Sequence, residues 1–367
     1  MGRDFRVLQN GRCCKLRPIK ETTSPNSHQG LLPVAANLIK EMGLSGDVTL
    51  ERLPGGRNNQ VFKITAVEQR FLLKSYFVHK DDPRDRLGNE WSFLRYAWDN
   101  GIRCIPQPLT ADKKNHVALF EFIDGRKLTA SDIIEDHIEH AIRFVIELNE
   151  YKTSDEALNL PLASEACFSI TDHSNCVEQR LKKLGEIESC DSVGKDADDF
   201  IKSQLVPCWK TVRKGMLEQF GNSDTAMDEA LDMKERCLSP SDFGFHNALL
   251  EQNGKLRFID FEYAGWDDPA KLICDFFCQP EVGVSHAFFP SFKREVLQSF
   301  DHKGALRERI KLLFPLYKIK WCCIMLNEFL PEGAARRGYA NQNAKTESRE
   351  EQLRKVKRYL TESLTYC

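Results

Sequence analysis

The sequence predicts an α+β fold of two lobes, in which a small antiparallel sheet with one prominent helix precedes a larger, mostly helical region. The composition is that of an ordinary globular protein, with 41% hydrophobic, 10% aromatic and 29% charged residues. Short apolar runs typical of strands dominate up to residue 125, and longer runs with helical spacing follow. A chain of 367 residues is long enough to bury more than one core.

The chain is expected to divide into three segments. Residues 1–30 mix charged, polar, Gly and Pro residues without periodicity, which is typical of a mobile leader. Residues 31–125 form the smaller lobe and residues 126–367 the larger one, because the apolar spacing changes from strand-like to helical after Gly125.

The smaller lobe is predicted to contain two helices and five strands. Apolar residues recur at helical spacing from Leu31 to a stop at Gly43. A second helix follows Pro83 and ends before Gly101, since its apolar residues fall three or four apart. The predicted strands are Val48–Leu53, Gln60–Ala66, Arg70–Phe77, Ile105–Thr110 and His116–Phe122.

The larger lobe is predicted to be helical except for one hairpin. Asn253-Gly254 is the strongest hairpin signal in the chain and joins the predicted strands Ala248–Gln252 and Lys255–Phe261. Pro315 is expected to kink the helix that contains it. The predicted helices are Asp132–Asn149, Asn175–Glu188, Ala197–Phe220, Arg307–Phe329 and a solvated, charged segment, Arg336–Arg358.

Charge and cysteine usage exclude several classes of protein. The formal net charge of −2 gives no global electrostatic reason to bind nucleic acid or an anionic membrane surface. No run of about 18 apolar residues occurs, so neither secretion nor membrane spanning has a signal. The 13 cysteines are odd in number and scattered, which favours reduced thiols and a cytoplasmic protein.

Three polar residues around the hairpin have the pattern required for phosphoryl transfer. Asp242 and Asn247 precede the hairpin, with four residues between them in the chain, and Asp260 ends it. In such a set one carboxylate orients the attacking hydroxyl, while an amide oxygen and the second carboxylate hold Mg²⁺. The alternative is structural, with Asp242 capping a turn and Asn247 pairing with the backbone, and it fits the pattern equally well when taken alone.

Features of the smaller lobe complement these residues. Gly55, Gly56 and Asn59 lie between the first two predicted strands, where paired glycines let backbone N–H groups approach phosphate oxygens. Lys74 lies in the third strand and Glu90 in the following helix, the arrangement in which kinases place a cation on nucleotide phosphates. Each feature is unremarkable alone, but their order along the chain is that of a bilobal kinase.

The chain resembles the aminoglycoside phosphotransferase and choline/ethanolamine kinase superfamily, small-molecule relatives of protein kinases. Leu53–Phe62 resembles the glycine loop of that group, and Phe258–Gly265 resembles the metal-binding segment of choline kinases. Asp267–Ala270 is closer to the aminoglycoside branch. The resemblance covers roughly Leu31 to Phe329 and implies a protein-kinase-like fold that uses ATP and Mg²⁺.

The resemblance also implies individual roles. Asp242 would be the catalytic base, Asn247 and Asp260 the metal ligands, Lys74 the cation on the phosphates and Glu90 its partner. The backbone from Glu121 to Ile123 would bind the adenine. One position departs from the family pattern, because Pro240 stands where the family usually has a His two residues before the catalytic Asp. Pro240 could stiffen the loop instead by fixing its own φ.

The acceptor can be predicted only from charge. Between Arg126 and Phe200 there are 17 Asp and Glu residues against 8 Lys and Arg residues, which favours a cationic acceptor such as an amino alcohol or amino sugar. An acidic solvated surface explains the same count. Tyr263, Trp266 and Trp321 could enclose an ammonium group, although core packing would also account for them.

The sequence therefore predicts an ATP- and Mg²⁺-dependent phosphotransferase that acts on a hydroxyl of a small molecule. The alternative is a catalytically silent pseudokinase that binds nucleotide or serves as a scaffold. A protein kinase is disfavoured, because no activation segment ending in Ala-Pro-Glu follows Asp260.

Overall fold

The structure is a computed structural model. It describes residues 28–54, 59–78, 82, 84–187, 191–221, 227–300, 304–330 and 349–364. The expected leader therefore lies almost entirely outside the described residues. The fold class is confirmed, since a five-stranded antiparallel sheet is followed by a mostly helical region. The division into lobes at Gly125 stays a prediction.

The N-terminal sheet has the strand order β1-β2-β3-β5-β4, with every neighbouring pair antiparallel. Its elements are α1 (His28–Glu41), β1 (Val48–Arg52), β2 (Gln60–Ala66), β3 (Gln69–Ser75), α2 (Arg86–Asp99), β4 (Pro108–Asp112) and β5 (Val117–Glu121). Side chains alternate across a strand, so Phe71 and Leu73 of β3 pack in one cluster with α1. Leu72 and Lys74 are on the opposite face, and Leu72 packs in the cluster that contains α2.

Helix α2 carries one polar residue in its buried stripe. Asp85 caps the helix, accepting a hydrogen bond from Gly88 N at 2.8 Å. Leu87, Glu90 and Leu94 are buried at spacings of three and four residues, which is one face of a helix. The same periodicity that packs the helix on the sheet thus directs the Glu90 carboxylate inward.

The larger lobe is built around one long central helix. Its helices are α3 (Glu135–Glu150), α4 (Asp155–Leu158), α5 (Ile170–Leu184), α6 (Ser192–Phe200), α7 (Val206–Gln219), α8 (Pro269–Cys278), α9 (Phe289–Phe300), α10 (Ala305–Met325) and α11 (Arg349–Leu364). Helix α10 packs against α5, α7, α8 and α11. Pro315 lies inside α10 without ending it.

Short strands support the loops on which the candidate site residues lie. These strands are β6 (Gly125–Lys127), β7 (Cys237–Ser239), β8 (Ala248–Glu251), β9 (Leu256–Phe258) and β10 (Gly265–Asp267). β6, β8 and β9 form one antiparallel sheet, and β7 pairs with β10. The hairpin prediction is confirmed at β8–β9, where Gly254 has a φ of +82°. Asp242 follows β7, Asn247 precedes β8 and Asp260 follows β9.

Several element boundaries differ from the prediction for identifiable reasons. Helix α5 begins at Ile170 instead of Asn175, because Ser169 and Asp172 form a capping box at its start. The predicted helix Ala197–Phe220 begins earlier, at Ser192, and runs through a π-helical turn, Ile201–Leu205. Part of the predicted segment Arg336–Arg358 lies outside the described residues.

The described residues also show the state of the cysteines and the apolar character of the helices. Nine cysteines lie within the described ranges, and all nine are free. Among the described helices, none combines the length and the apolar character needed to cross a bilayer.

Gly265, near the site, lies so close to neighbouring backbone that a side chain should not fit there. A Cβ added to Gly265 would lie 2.4 Å from Pro161 O and 2.6 Å from Ala163 N. Gly265→Ala should therefore lower the free energy of unfolding by ~1–3 kcal/mol, measured by urea denaturation. Gly215→Ala in α7 is the control, since its Cβ would meet nothing within 4 Å. It should raise the free energy of unfolding by ~0.5–1 kcal/mol. Equal midpoints for the two variants would contradict this.

Candidate functional site

Lys74 is the point at which the two lobes meet. Its ammonium group donates to Glu90 Oε2 at 2.7 Å and also contacts Asp260 Oδ1. The Lys74 side chain is only 8% exposed, whereas Asp260 is 37% exposed. Burial disfavours the ammonium charge, but Asp260 and Glu90 outweigh it and raise the pKa of Lys74. The structure thus brings together three predicted residues from β3, α2 and the segment after β9.

Glu90 attaches α2 to the segment that carries Asp260. Besides Lys74, Oε2 of Glu90 accepts from Tyr76 Oη at 2.8 Å, and Oε1 accepts from Phe261 N at 3.1 Å. Glu90 is 3% exposed, so its charge is supported entirely by these donors. The position of α2 and the position of Asp260 are therefore coupled through one carboxylate.

The nucleotide-binding role of Asn59 stays a prediction, and the structure shows its side chain hydrogen-bonded within the protein. Its Nδ2 donates to Glu262 Oε2 at 2.6 Å, and its Oδ1 accepts from Phe77 N at 3.1 Å. Asn59 is 3% exposed. Its side chain therefore holds the end of the glycine loop against the larger lobe. Gly55 and Gly56 lie outside the described residues.

The sequence reasoning did not assign Glu262 to the site. This carboxylate is buried, binds Asn59 and lies 3.4 Å from Arg86 Nε. Burial and the nearby Asp260 raise the pKa of Glu262, while Lys74 opposes them. The available signal was its position, because Glu262 is a charged residue between Phe261 and Tyr263, two positions after Asp260.

Asp242 is held by residues of its own loop. Oδ1 of Asp242 lies 3.1 Å from His246 Nε2, and Oδ2 accepts from Asn247 Nδ2 at 3.2 Å. Asn247 Nδ2 also donates to Asp242 O at 3.0 Å. The Asp242 side chain is 35% exposed, whereas His246 is 8% exposed. The carboxylate is therefore oriented by its own loop and remains partly exposed.

Each of the two acidic loops has one residue with a positive φ. Ser241 has a φ of +66° and Asp260 a φ of +69°, a region that residues other than Gly rarely adopt. Ser241 N donates to Ser239 Oγ at 3.0 Å, and Ile259 N donates to Asn247 O at 2.9 Å. Such strain persists where neighbouring structure imposes it, and it is concentrated at functional sites.

The donor set fits a hard divalent cation. Asn247 directs its amide nitrogen to Asp242, which turns its amide oxygen away from that residue. Asp260 meets Lys74 through Oδ1, so its second oxygen is the one directed elsewhere. Two oxygen ligands suffice for Mg²⁺ when waters and phosphates complete its octahedron. Within the described residues there is no cluster of three or more His, Cys, Asp or Glu able to hold a metal.

The segment predicted to contact adenine already forms hydrogen bonds with other parts of the protein. Glu121 N donates to Gln107 O at 2.9 Å, and Glu121 Oε2 accepts from Arg257 Nη2 at 2.6 Å. The backbone N–H of Glu121 is therefore already paired within the protein, and the predicted contact with adenine stays a prediction. Ile123 lies beyond the end of β5 and is 8% exposed.

Of the two interpretations of the aromatic residues, the structure favours core packing for Trp266. This side chain is 2% exposed, and its Nε1 donates to Ala157 O at 2.9 Å. Trp321 donates to Asp275 at 2.9 Å, and the guanidinium of Arg84 lies 5.5 Å from the ring centre of Tyr263. Core packing and internal partners therefore occupy the three aromatic side chains.

Solved structures with the same fold are kinases of small molecules. Spectinomycin phosphotransferase APH(9)-Ia, in complex with ADP and spectinomycin, matches with a TM-score of 0.58 and 13% identity, over 90% of this chain and 93% of its own. The choline kinase LicA from Streptococcus pneumoniae matches with a TM-score of 0.57 and 15% identity, over 93% of this chain and 100% of its own. An ethanolamine kinase from Plasmodium vivax has a TM-score of 0.55 and 15% identity, over 92% of this chain and 89% of its own.

The sequence itself identifies the family. No relative was found among curated protein sequences. The profile of the phosphotransferase enzyme family matches residues 49–310, which is more than half of the chain and includes every site residue discussed above. The match confirms the resemblance seen in the motifs. The chain therefore belongs to the phosphotransferase enzyme family and is a small-molecule kinase.

Proposed function

We propose that the protein transfers the γ-phosphoryl group of ATP, in the presence of Mg²⁺, to a hydroxyl group of a small molecule. The observation that carries the proposal is the contact of Lys74 with both Glu90 and Asp260. Residues far apart in the chain converge there in the arrangement that phosphoryl transfer requires. The complexes of similar structures with ADP and AMP support a nucleotide as the donor.

Each residue has a distinct part in the proposed reaction. Asp242 orients the acceptor hydroxyl and takes its proton as the new P–O bond forms. Lys74 offsets the negative charge of the nucleotide phosphates, while buried Glu90 keeps the ammonium group in place. Asn247 and Asp260 would hold Mg²⁺, which when bound supplies further positive charge to the phosphates.

His246 supplies the side-chain contact that the loop lacks at Pro240. Its Nε2 lies 3.1 Å from Asp242 Oδ1, and the imidazole is buried. A Cβ at position 244 would lie 2.7 Å from His246 Nδ1, so Gly244 makes room for the ring. We assign His246 to positioning the base, in place of the His that the family usually has two residues before it.

The acidic excess is a weaker argument for a cationic acceptor than the sequence implied, because some acidic side chains pair within the protein. Asp132 pairs with Arg126 at 2.7 Å and Glu165 with Arg180 at 2.5 Å, so these two acidic groups of the segment are neutralised internally. The named relatives bind or act on spectinomycin, choline and ethanolamine. The acceptor we propose is a hydroxyl-bearing amino alcohol, amino sugar or sugar, and the cytoplasm is the proposed compartment.

A pseudokinase is the second candidate, and Pro240 in the catalytic loop is the observation that favours it. The two candidates differ in one result. Purified protein is supplied with ATP, Mg²⁺ and a panel of amino alcohols, sugars and aminoglycosides. An active kinase should form phosphorylated acceptor and ADP, whereas a pseudokinase should bind nucleotide without turnover.

Asp242→Asn should separate binding from chemistry. Because the amide cannot accept the proton, kcat should fall at least ~100-fold, whereas nucleotide affinity should change little. Turnover is measured by coupled ADP detection and binding by calorimetry. Asp99→Asn is the control, since Asp99 is an exposed residue of α2 that pairs with Arg95. Unchanged turnover in Asp242→Asn would remove Asp242 from its role.

Lys74→Met should weaken ATP binding and lower kcat together, because the variant loses the cation and leaves Glu90 unpaired in a buried position. The combined loss in kcat/KM should be at least ~100-fold. Lys63→Met on β2 is the matched control, since Lys63 is a strand lysine whose partner is Glu51. Equal kinetics for the two variants would refute the assignment.

His246→Ala should lower kcat about 10-fold or more while leaving KM for ATP within about 2-fold, because only the orientation of the base is lost. His246→Gln keeps an N–H donor and should recover most of the activity. A purely structural role predicts instead that both variants lower the unfolding midpoint and that Gln gives no rescue.

A further inference from the structure

A short connection joins the N-terminal sheet to the small sheet of the larger lobe. It consists of residues 122–124, called the linker below, between the end of β5 at Glu121 and the start of β6 at Gly125. β6 is paired with β8, and Gly125 lies opposite Glu251 in that register. At the other end, the Glu121 carboxylate accepts a hydrogen bond from Arg257 Nη2 at 2.6 Å. Contacts with β8 and β9 therefore fix the linker at both of its ends.

Arg257 of β9 binds two separate segments of the chain. Its side chain is only 10% exposed. The Nη2 that donates to Glu121 also donates to Ile105 O at 2.8 Å. The next residue attaches the same region through the backbone, since Phe258 N donates to Cys104 O at 2.7 Å. β9 thus holds both the start of the linker and the segment that follows α2.

Two arginine side chains contact the linker region, and their surroundings differ. Arg70 pairs with Asp124 at 3.0 Å, and its guanidinium lies 5.1 Å from the ring centre of Phe122. The Arg70 and Asp124 side chains are 49% and 67% exposed, and ion pairs in such surroundings contribute little. The buried guanidinium of Arg257 instead depends on its partners. Of the two, Arg257 therefore contributes more to the position of the linker.

Arg257 also lies close in the chain to the phosphate end of the site. It is three residues before Asp260, which contacts Lys74. Three residues span at most about 10 Å. One short segment thus holds the linker and Asp260 at a limited distance from each other, which matters for any ligand that contacts both.

We propose that Arg257 is a positioning residue for recognition of the nucleotide base. By holding Glu121, it keeps the backbone of the linker where hydrogen bonds to a purine can form while the phosphates reach Lys74. Such bonds need distances within a few tenths of an ångström, so a displaced linker would lose them. The proposal rests on the proposed function, since it requires a purine nucleotide as the donor.

The alternative is that Arg257 only stabilises the fold, and the surroundings of its partner show which variant can separate the two roles. The Glu121 side chain is 36% exposed and also accepts from Gln107 N at 3.2 Å, so it stays hydrated and partnered without the guanidinium. Removing the carboxylate would leave a buried guanidinium whose Nη1 lies 3.7 Å from Glu251 Oε2. Arg257→Met is therefore the variant that releases the linker at the smaller cost in stability.

The first test compares the binding of ADP and of tripolyphosphate to the full-length protein, each with Mg²⁺, by calorimetry. Arg257→Met should weaken ADP binding about 10-fold, because hydrogen bonds to the base are lost, and should leave tripolyphosphate binding within about 2-fold. Arg257→Lys keeps a cation beside Glu121 and should bind ADP within about 3-fold of the wild type. Arg103→Met is the control and should bind ADP as the wild type does, since exposed Arg103 donates to Trp98 O at 2.6 Å.

The results distinguish this proposal from the proposed function. A wild-type protein that does not bind ADP would overturn both. Unchanged ADP binding in Arg257→Met would overturn the positioning role alone, and so would ADP and tripolyphosphate affinities that fall by the same factor.

The second test shows whether Arg257 acts through Glu121. In a Glu121→Gln background, Arg257→Met should weaken ADP binding less than about 3-fold, because the contact is already weakened. Fully additive effects of the two substitutions would overturn the proposal. Thermal unfolding followed by circular dichroism shows whether each variant is folded. If Arg257→Met does not fold, Glu121→Gln alone decides, since it should weaken ADP binding about 3-fold and an unchanged affinity would overturn the proposal.

Discussion

A single buried ammonium group determines how the parts of this kinase are arranged. Lys74 lies on the face of β3 that is turned toward α2, and an unpaired charge there would be strongly unfavourable. It is stabilised only if Glu90 from α2 and Asp260 from the larger lobe are both close. Packing of α2 on the sheet, closure of the lobes and placement of Asp260 are therefore parts of one electrostatic requirement.

A second set of contacts limits how those parts can move. Glu262 accepts a hydrogen bond from Asn59 at the end of the glycine loop, and Glu90 accepts one from the backbone N–H of Phe261. Both hydrogen bonds join the smaller lobe to the segment that follows β9. In the larger lobe, the buried Asp268 carboxylate accepts hydrogen bonds from His173 and Arg309 and also caps the start of α8. The end of the segment that leads into α8 is therefore fixed as well. Asp260, whose φ is positive, immediately precedes this fixed segment.

Local signals in the sequence were sufficient for much of the fold. Strand β2 was predicted at its observed limits, since alternation and β-branched residues are a local signal. Strands β6, β7 and β10 have three residues each, and they form because distant partners pair with them. Helix α9 was missed although its buried residues Phe292, Val296 and Phe300 fall four apart, the spacing of one helix face.

The site shows the same limit. Lys74, Glu90, Asp242, Asn247 and Asp260 were predicted from their order, because the chemistry constrains both residue type and the order of the residues along the chain. Asn59, Glu262 and His246 act through contacts whose partners cannot be read from spacing. Glu262, for example, lies 203 residues from Asn59, its hydrogen-bond donor.

The Lys74–Asp260 contact also bears on which anions the cleft would admit. With its cation already neutralised by two carboxylates, the resting cleft offers little attraction to a small ion such as free phosphate. An entering group must compete with Asp260 for the ammonium, and a polyanion that arrives with its own metal is better equipped to do so. The pairing of Lys74 with two carboxylates would thus select against abundant inorganic ions before the shape of a ligand is recognised.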